Sequence, residues 1–352
     1  MRRLPIYFLV DVSDSMVGQP REMLQKGLDR IVGELRSNPH ALETAYLSII
    51  AFAGTARTLV PLTDVFGYYN PSLPVGSGTS LGLAMEHLME SIDNDIKPST
   101  SSKKGDWKPL IYILTDGKPT DGYAKSLNLW KHEYSDRANV IAIGLGPYAD
   151  TNILSEIAEN TFTYNGENEK DFDGLIRWIS NSISAVSVAP GSIDLSKAVS
   201  LEKGEVAMAP AGTTTRYDED SVILVIRCSK TGKPFLAKYD RPKGLSKESI
   251  GIEMELDIPN RFEFSGSHIV DEDYFEWSAE EDKKAQVDTS TLVGGFTCPY
   301  CGTQYGGACK CGSLICMPED NHPVTCAWCK TEGLTMGEGD GGGSTMVSRS
   351  SG

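Results

Sequence analysis

The hydrophobic positions in the first half of the chain alternate between short apolar runs and longer amphipathic stretches. The runs with the pattern of buried strands are Ile6–Val10, Tyr46–Phe52, Arg57–Pro61, Leu110–Thr115, Val140–Gly144 and Phe162–Tyr164. Between the first two, Leu24, Leu28, Ile31 and Leu35 recur at helical spacing. This alternation predicts a doubly wound, Rossmann-like α/β domain over residues 1–188, with a mostly parallel sheet between two layers of helices.

The pattern changes after Val188, where turns and short β-type runs replace the helical spacing. Apolar runs at Ser221–Cys228 and Phe235–Tyr239 flank a turn-forming stretch and predict a hairpin. We expect residues 189–290 to form a small β-rich module with an acidic linker, and we assign no chemistry to the acidic residues 271–282. The glycine-rich end, residues 333–352, is predicted to be a disordered tail.

Charge and apolar content narrow the classes of partner. The net charge of −15 over 352 residues argues against nucleic acid or an anionic membrane surface as the main partner. No apolar stretch approaches the roughly 20 residues of a membrane span, and the first run ends at Val10 without a signal-peptide cleavage site. We therefore expect a soluble, cytoplasmic protein.

Polar side chains gather where predicted strands end. Asp11, Ser13 and Ser15 follow the first strand, Thr79 lies in a glycine-rich loop before a helix, and Asp116 follows another strand. Carboxyl ends of parallel strands meet at one edge of a sheet, so three hydroxyls and two carboxylates are expected to converge there. An all-oxygen set suits Mg²⁺ or Mn²⁺ better than zinc. The alternative is that Asp11 and Ser13 merely cap the following turn.

The DxSxS motif at residues 11–15, with Thr79 and Asp116, resembles the metal-ion-dependent adhesion site of the von Willebrand factor A family. The resemblance covers about half of the chain. It implies that Ser13, Ser15 and Thr79 bind the metal directly, while Asp11 and Asp116 act directly or through water. It also implies that an Asp or Glu of a protein partner completes the coordination of the cation.

Seven of the eight cysteines lie between Cys298 and Cys329, which predicts a zinc-ribbon-like module of reduced thiolates over residues 291–332. We expect the outer CxxC pairs to share a zinc ion, with the other three cysteines and a histidine as candidates for a second one. The outer pairs are Cys298 with Cys301 and Cys326 with Cys329, and the second-site candidates are Cys309, Cys311, Cys316 and His322. Spacing leaves open whether the module holds one or two zinc ions. The isolated Cys228 is expected to be a core thiol.

An A-type domain followed by a β-rich region and a cysteine-rich module resembles the TerY family of bacterial tellurite-resistance and stress-response proteins. This resemblance implies a non-catalytic scaffold that acts beside a protein kinase and a protein phosphatase. One alternative is a hydrolase that uses Mg²⁺ to activate water on a phosphate ester, although the sequence has no P-loop and no GxSxG motif. Another is a subunit of a chelatase-like machine that pairs with a separate ATPase.

Overall fold

The computed structural model describes residues 2–116, 119–146, 149, 151–164, 169–188, 220–242, 261–279, 285–320, 322–335 and 345–350. The chain divides into two compact units. The first comprises Met1–Arg216 together with Trp277–Ala279, and the second comprises Tyr217–Glu276 and Glu280–Gly352.

The first unit is built on a six-stranded sheet. Its strands are β1 (Leu4–Asp11), β2 (Ala45–Phe52), β3 (Ala56–Asp64), β4 (Leu110–Thr115), β5 (Asn139–Leu145) and β6 (Asn160–Tyr164). They lie in the order β3-β2-β1-β4-β5-β6, with β3 antiparallel to β2 and all other neighbours parallel. The predicted doubly wound, mostly parallel fold is thereby confirmed.

Helices cover both faces of this sheet. They are α1 (Gln19–Ser37), α2 (Pro39–Thr44), α3 (Leu81–Asp95), α4 (Ala124–Leu129), α5 (Thr151–Ile157) and α6 (Glu169–Val188). Side chains alternate across a strand, so Ile6, Phe8 and Val10 pack in the core beneath α1 and α6, whereas Tyr7 and Leu9 pack beneath α3. Burial on both faces explains why the parallel strands are continuous apolar runs.

The second unit contains a six-stranded sheet and a separate strand pair. The described strands are β7 (Ser221–Arg227), β8 (Pro234–Asp240), β9 (Phe262–Ile269), β10 (Gln286–Asp288), β11 (Leu292–Val293), β12 (Tyr305–Ala308), β13 (Leu314–Met317) and β14 (Met346–Ser348). The larger sheet has the order β11-β9-β8-β7-β13-β12, and β10 pairs with β14. Residues 189–219 and 243–260 lie outside the described residues.

The two modules predicted for the second half share one sheet. The predicted hairpin is present as β7 and β8. Strand β13 comes from the cysteine-rich segment and pairs in parallel with β7. The boundary that the sequence suggested near residue 290 therefore does not separate two independent folding units.

Part of the predicted disordered tail is ordered. Strand β14 pairs antiparallel with β10. The Arg349 guanidinium donates to the Ser221 carbonyl at 2.5 Å, and the Ser350 amide donates to the Ile223 carbonyl at 3.0 Å. The glycine-rich residues nearby obscured this short strand in the composition, so the prediction of disorder is corrected for residues 345–350.

One further α-helix, α7 (Asp273–Trp277), lies among the described residues of the second half. Within the part of the chain that the structure describes, no helix has the length and apolar character needed to cross a bilayer.

Candidate metal centres

Asp11 is the last residue of β1, and its carboxylate is held from two sides. Oδ1 accepts a hydrogen bond from the Ser13 amide at 2.9 Å, and Oδ2 accepts one from the Thr115 hydroxyl at 2.5 Å. Thr115 ends β4, the strand next to β1. The side chain of Asp11 is thus fixed at the carboxyl edge of the sheet, where open α/β sheets bind ligands.

A chain of polar contacts joins the first loop to the loop after β4. The hydroxyls of Ser13 and Ser15 lie 2.9 Å apart, and the Ser15 hydroxyl donates to Oδ1 of Asp116 at 3.1 Å. Both serines are buried. Together with the bond from the Ser13 amide to Asp11, these contacts bring together four of the five residues that the sequence assigned to the site.

The fifth residue, Thr79, is buried in a loop that is tied to the same edge. Gly76 forms an isolated parallel bridge with Ser13, and its amide donates to the Val12 carbonyl at 3.0 Å. The Thr79 amide donates to the Thr120 hydroxyl at 2.9 Å, and the Thr120 amide donates back to the Thr79 carbonyl at 3.0 Å. The three loops therefore converge at one edge.

Thr115 and Thr120 also support the site, although the sequence pattern did not indicate them. Both lie close to Asp116 in the chain, and each hydroxyl bonds to another site residue. They flank Asp116, whose carboxylate is a predicted metal ligand, and this position in the sequence could have identified them.

Burial sets the electrostatics of the site. Only 1% of Asp11 is exposed, and this burial raises the pKa of its carboxyl to about 6 despite opposing hydrogen bonds from Thr115 and Ser13. Burial likewise raises the pKa of Asp121, and Asp14 is fully buried. A bound cation would offset the cost of holding these charges away from water. The donors are hydroxyl and carboxylate oxygens, which fits a hard divalent cation such as Mg²⁺.

The eight cysteines form two four-membered clusters in the second unit. The first comprises Cys228, Cys298, Cys301 and Cys316, and the second comprises Cys309, Cys311, Cys326 and Cys329. Within each cluster the sulfur atoms all lie within 4.8 Å of one another. This grouping supports a zinc-ribbon-like module.

The sulfur separations fit tetrahedral metal coordination. They are 3.6 Å for Cys301 and Cys316, 3.6 Å for Cys309 and Cys329, and 3.9 Å for Cys311 and Cys326. Four thiolates around zinc, with bonds of ~2.3 Å, place their sulfur atoms about 3.8 Å apart. A disulfide would bring two sulfurs to about 2.05 Å, and all eight cysteines are free.

The structure groups the cysteines differently from the sequence prediction. The outer CxxC pairs do not share a cluster, because Cys298 and Cys301 belong to the first and Cys326 and Cys329 to the second. His322 belongs to neither cluster, and its Nδ1 lies 2.6 Å from Oδ1 of Asp320.

Cys228 is buried as predicted but is a member of the first cluster rather than an isolated core thiol. Its amide donates to the Lys233 carbonyl at 2.9 Å, and the Gly232 amide donates to the Cys228 carbonyl at 2.8 Å. Cys298 makes the same two bonds, to Thr303 and from Gly302. The shared spacing of a cysteine and a glycine four residues later is the signal that identifies Cys228.

The cysteine thiols differ in acidity. Hydrogen bonds from Thr331 lower the pKa of Cys329 to about 6, whereas burial raises the pKa of Cys298 to about 11. A second thiolate in so small a space would repel the first, so full ionisation of either cluster requires a cation at its centre.

Two family models match segments of this chain. The family model described as von Willebrand factor type A domain matches residues 6–177, and the TerY-C metal binding domain matches residues 218–352.

The solved structures that are similar to this chain include the three that follow. The conserved hypothetical protein BatB from Bacteroides thetaiotaomicron is 20% identical, with 53% of this chain and 100% of that chain covered and a TM-score of 0.39. Proximal thread matrix protein 1 from the mussel byssus is 18% identical, with coverages of 51% and 48% and a TM-score of 0.38. The ArnB paralog VWA2 from Sulfolobus acidocaldarius is 17% identical, with coverages of 64% and 49% and a TM-score of 0.38. This chain spans about half the length of the last two.

Proposed function

The chain joins a von Willebrand factor type A domain to a TerY-C metal binding domain, and on that basis we propose that it is a non-catalytic scaffold that binds partner proteins through a divalent cation. The observation that carries the proposal is the convergence of Ser13, Ser15 and Asp116 through contacts of 2.9 Å and 3.1 Å beside a buried, oriented Asp11. Oxygen atoms gathered in this way are suited to binding a hard cation.

We assign Mg²⁺ or Mn²⁺ to this site. Ser13, Ser15 and Thr79 provide neutral ligands, and Asp11 and Asp116 act directly or through water. Three neutral hydroxyls leave much of the positive charge of the cation uncompensated, so it retains affinity for an anionic ligand. An Asp or Glu on the surface of a partner protein supplies that ligand in this proposal.

Binding is favoured over phosphoester hydrolysis by the composition of the site. The three loops at residues 11–18, 76–80 and 115–121 contain no histidine to act as a general base near neutral pH. The carboxylates of Asp11 and Asp116 already accept hydrogen bonds from hydroxyl or amide groups. The largely neutral ligand set is also poorly suited to forming metal-bound hydroxide.

We assign one zinc ion to each cysteine cluster. Four thiolates close the coordination sphere of zinc and leave no position for a substrate, so the two ions serve to hold the fold. Eight free cysteines suit a reducing compartment, and we place the protein in the cytoplasm. The TerY-C domain supports a role in the bacterial response to tellurite or chemical stress, beside a kinase and a phosphatase.

The proposal is tested by partner capture with the full chain. Wild type, Asp11→Ala and the surface control Asp136→Ala are used to capture proteins from stressed and unstressed cells, with Mg²⁺ or with chelator. We expect the same partners for wild type and control, and their loss with Asp11→Ala or chelator. Equal capture by a folded Asp11→Ala variant would show that recognition does not pass through this cation.

A further inference from the structure

Three residues far along the chain are part of the first unit. Trp277, Ser278 and Ala279 lie within the acidic stretch 271–282, yet they group with the A-type domain. The Trp277 side chain is 7% exposed and packs in the core that includes Val10 and Val12. The Arg57 guanidinium lies 5.1 Å from the centre of its ring. The chain is therefore anchored at this point by a buried aromatic side chain.

The two residues after Trp277 pair with the loop that carries Thr79. The Ala279 amide donates to the Ser77 carbonyl at 3.0 Å, and the Ser77 amide donates to the Ser278 hydroxyl at 2.9 Å. Both backbone polar groups of Ser77 are thus satisfied by this segment. Thr79 is only two residues further along the chain.

Two glycines create the space that the segment occupies. A Cβ atom on Gly54 would lie 1.8 Å from the Ala279 amide nitrogen, and one on Gly76 would lie 2.6 Å from the backbone of Trp277. Any side chain at either position would expel the segment or move the loop. The groove is accordingly shaped for a backbone at close range.

We infer that Trp277–Ala279 is a positioning segment for the adhesion site, and that it raises the affinity of the site for its cation by fixing the Thr79 loop. The inference rests on the proposed function, because it concerns the same metal. The loop Gly76–Ser77–Gly78 contains two glycines and is tied at its ends by the backbone bonds of Gly76 and Thr79. Without the segment, its centre at Ser77 has conformational freedom to lose when Thr79 binds metal. The docked segment removes that freedom in advance.

The coupling acts in both directions. If the docked segment strengthens metal binding, the metal must strengthen docking of the segment by the same factor. A partner that withdraws Trp277 from its pocket would consequently weaken cation binding at the adhesion site.

The test is Mn²⁺ titration of the full chain by electron paramagnetic resonance, with thermal unfolding measured with and without Mg²⁺. Trp277→Ala removes the anchor, Gly54→Ala closes the groove, and Ser278→Ala is a milder variant that deletes one hydrogen bond.

Two control variants match these changes in chemistry but lie outside the groove. Gly33→Ala is the matched glycine control, since a Cβ atom there meets nothing within 4 Å. Trp107→Ala is the matched tryptophan control, because Trp107 lies near the amino end of β1, away from the site. There its ring packs against the Arg2 guanidinium, and its amide donates to the Arg3 carbonyl at 2.8 Å.

We expect Trp277→Ala and Gly54→Ala each to weaken Mn²⁺ binding about tenfold, within the range typical of coupled sites, and Ser278→Ala to weaken it less. The double variant Trp277→Ala with Gly54→Ala should bind Mn²⁺ no more weakly than the more affected of the two single variants, since both changes displace the same segment. Hydrogen exchange at the Ala279 amide should slow when Mg²⁺ is added to wild type. Both controls should bind Mn²⁺ as wild type does.

The results would differ if Trp277–Ala279 stabilised only the fold and did not affect metal binding. In that case Trp277→Ala and Ser278→Ala would lower the unfolding temperature equally with and without Mg²⁺ and leave the Mn²⁺ affinity unchanged, which would overturn the inference while the proposed function stands. Absence of Mn²⁺ binding by wild type would overturn both.

Discussion

The Thr115 hydroxyl donates to Oδ2 of Asp11 across 2.5 Å, from the end of one strand to the end of its neighbour. The Ser13 amide holds the other carboxylate oxygen, so Asp11 has little rotational freedom. A carboxylate oriented in this way is ready to bind a cation or a metal-bound water without further ordering. Thr115 thus belongs to the machinery of the site although it is not itself assigned as a ligand.

We predict that Thr115→Val weakens Mn²⁺ binding about tenfold, because a hydrogen bond to a charged group contributes about 1.5 kcal/mol or more. Valine keeps the shape of threonine and removes only the hydroxyl. Calorimetric titration of the full chain measures the effect, and Thr115→Ser, which keeps the donor, is the control. Equal affinities for the valine and serine variants would remove Thr115 from any role in the site.

The two cysteine clusters are predicted to bind zinc independently. Elemental analysis should find about two zinc ions per wild-type chain, as expected for two closed sites of four thiolates. Cys228→Ser and Cys309→Ser should each retain about one, and the double variant about none. Ser229→Ala is the control, because only its hydroxyl contact with Cys316 is lost while the backbone contact remains. Loss of both ions in one single variant would mean that the clusters fold as one site.

The clusters should differ in their effect on stability. Cys228, Cys298 and Cys316 lie in the same core as Phe235 and Phe296. We expect Cys228→Ser to reduce the free energy of unfolding of the second unit by about 4 kcal/mol, as the loss of a buried structural metal does. Cys311→Ser affects an exposed ligand of the second cluster and should cost less. Hydrogen exchange of the β7 and β8 amides measures this difference, and it should accelerate more in Cys228→Ser than in Cys311→Ser.

Sequence patterns predicted the first unit well because its signals are local. Each parallel strand is an apolar run, and the metal-site residues directly follow such runs, so neither depends on knowing distant contacts. Thr115 and Thr120 were missed because their roles consist of hydrogen bonds to residues on other loops. Such partners appear only when the loops are placed together.

The second unit was harder to predict because its structure depends on contacts between residues that are far apart in the sequence. Cys228 joins three cysteines from the far end of the chain, and only the glycine four residues after it, within otherwise uninformative surroundings, marks it as a ligand. Trp277 lies in an acidic stretch whose average composition indicates solvent exposure, yet its own side chain is buried. In both cases a single residue differs in its role or burial from the residues around it. The average composition of the surrounding sequence therefore does not reveal it.

The ion pair of Arg3 and Asp106 should make the stability of the first unit depend on pH. Two hydrogen bonds link the side chains, at 3.0 Å and 2.5 Å, and the Lys97 amide adds a third to Asp106 at 2.8 Å. Although burial opposes the shift, these donors hold the pKa of Asp106 below its ordinary value. The pair therefore contributes stability above the unfolded-state pKa of about 4, and this contribution is lost as the pH falls through the lower folded-state pKa.

We predict that Asp106→Asn lowers the free energy of unfolding by about 2 kcal/mol at pH 7, and that the deficit shrinks steadily as the pH falls below about 4. Denaturation of wild type and variant across this range measures it, with Asp136→Asn as an exposed control. A deficit that stays constant down to about pH 2 would mean that the carboxylate charge is not the source of the stability.

The Arg227 guanidinium lies close to two aromatic rings in the second unit, which are nearly perpendicular to each other. Its guanidinium carbon is 5.1 Å from the centre of the Phe275 ring and 4.5 Å from that of Trp328. It also makes two bonds to Glu272, at 2.6 Å and 2.7 Å. The Glu272 side chain is 64% exposed, so solvent weakens the ion pair, whereas Arg227 is only 16% exposed. We therefore attribute most of the stabilisation to the cation–π contacts with the two rings.

Arg227→Lys should reduce the free energy of unfolding by about 1–2 kcal/mol, because the compact and more strongly hydrated ammonium group of lysine contacts aromatic rings less favourably than a guanidinium does. Glu272→Gln should cost about 0.5 kcal/mol, as exposed ion pairs usually do. Urea denaturation of the full chain at low salt and in about 1 M NaCl separates the contributions, since salt screens the exposed ion pair and affects the contacts of the largely buried guanidinium with the rings little. The deficit of Arg227→Lys should persist in high salt, and that of Glu272→Gln should vanish. If high salt abolished both deficits, the ion pair rather than the aromatic rings would hold Arg227 in place.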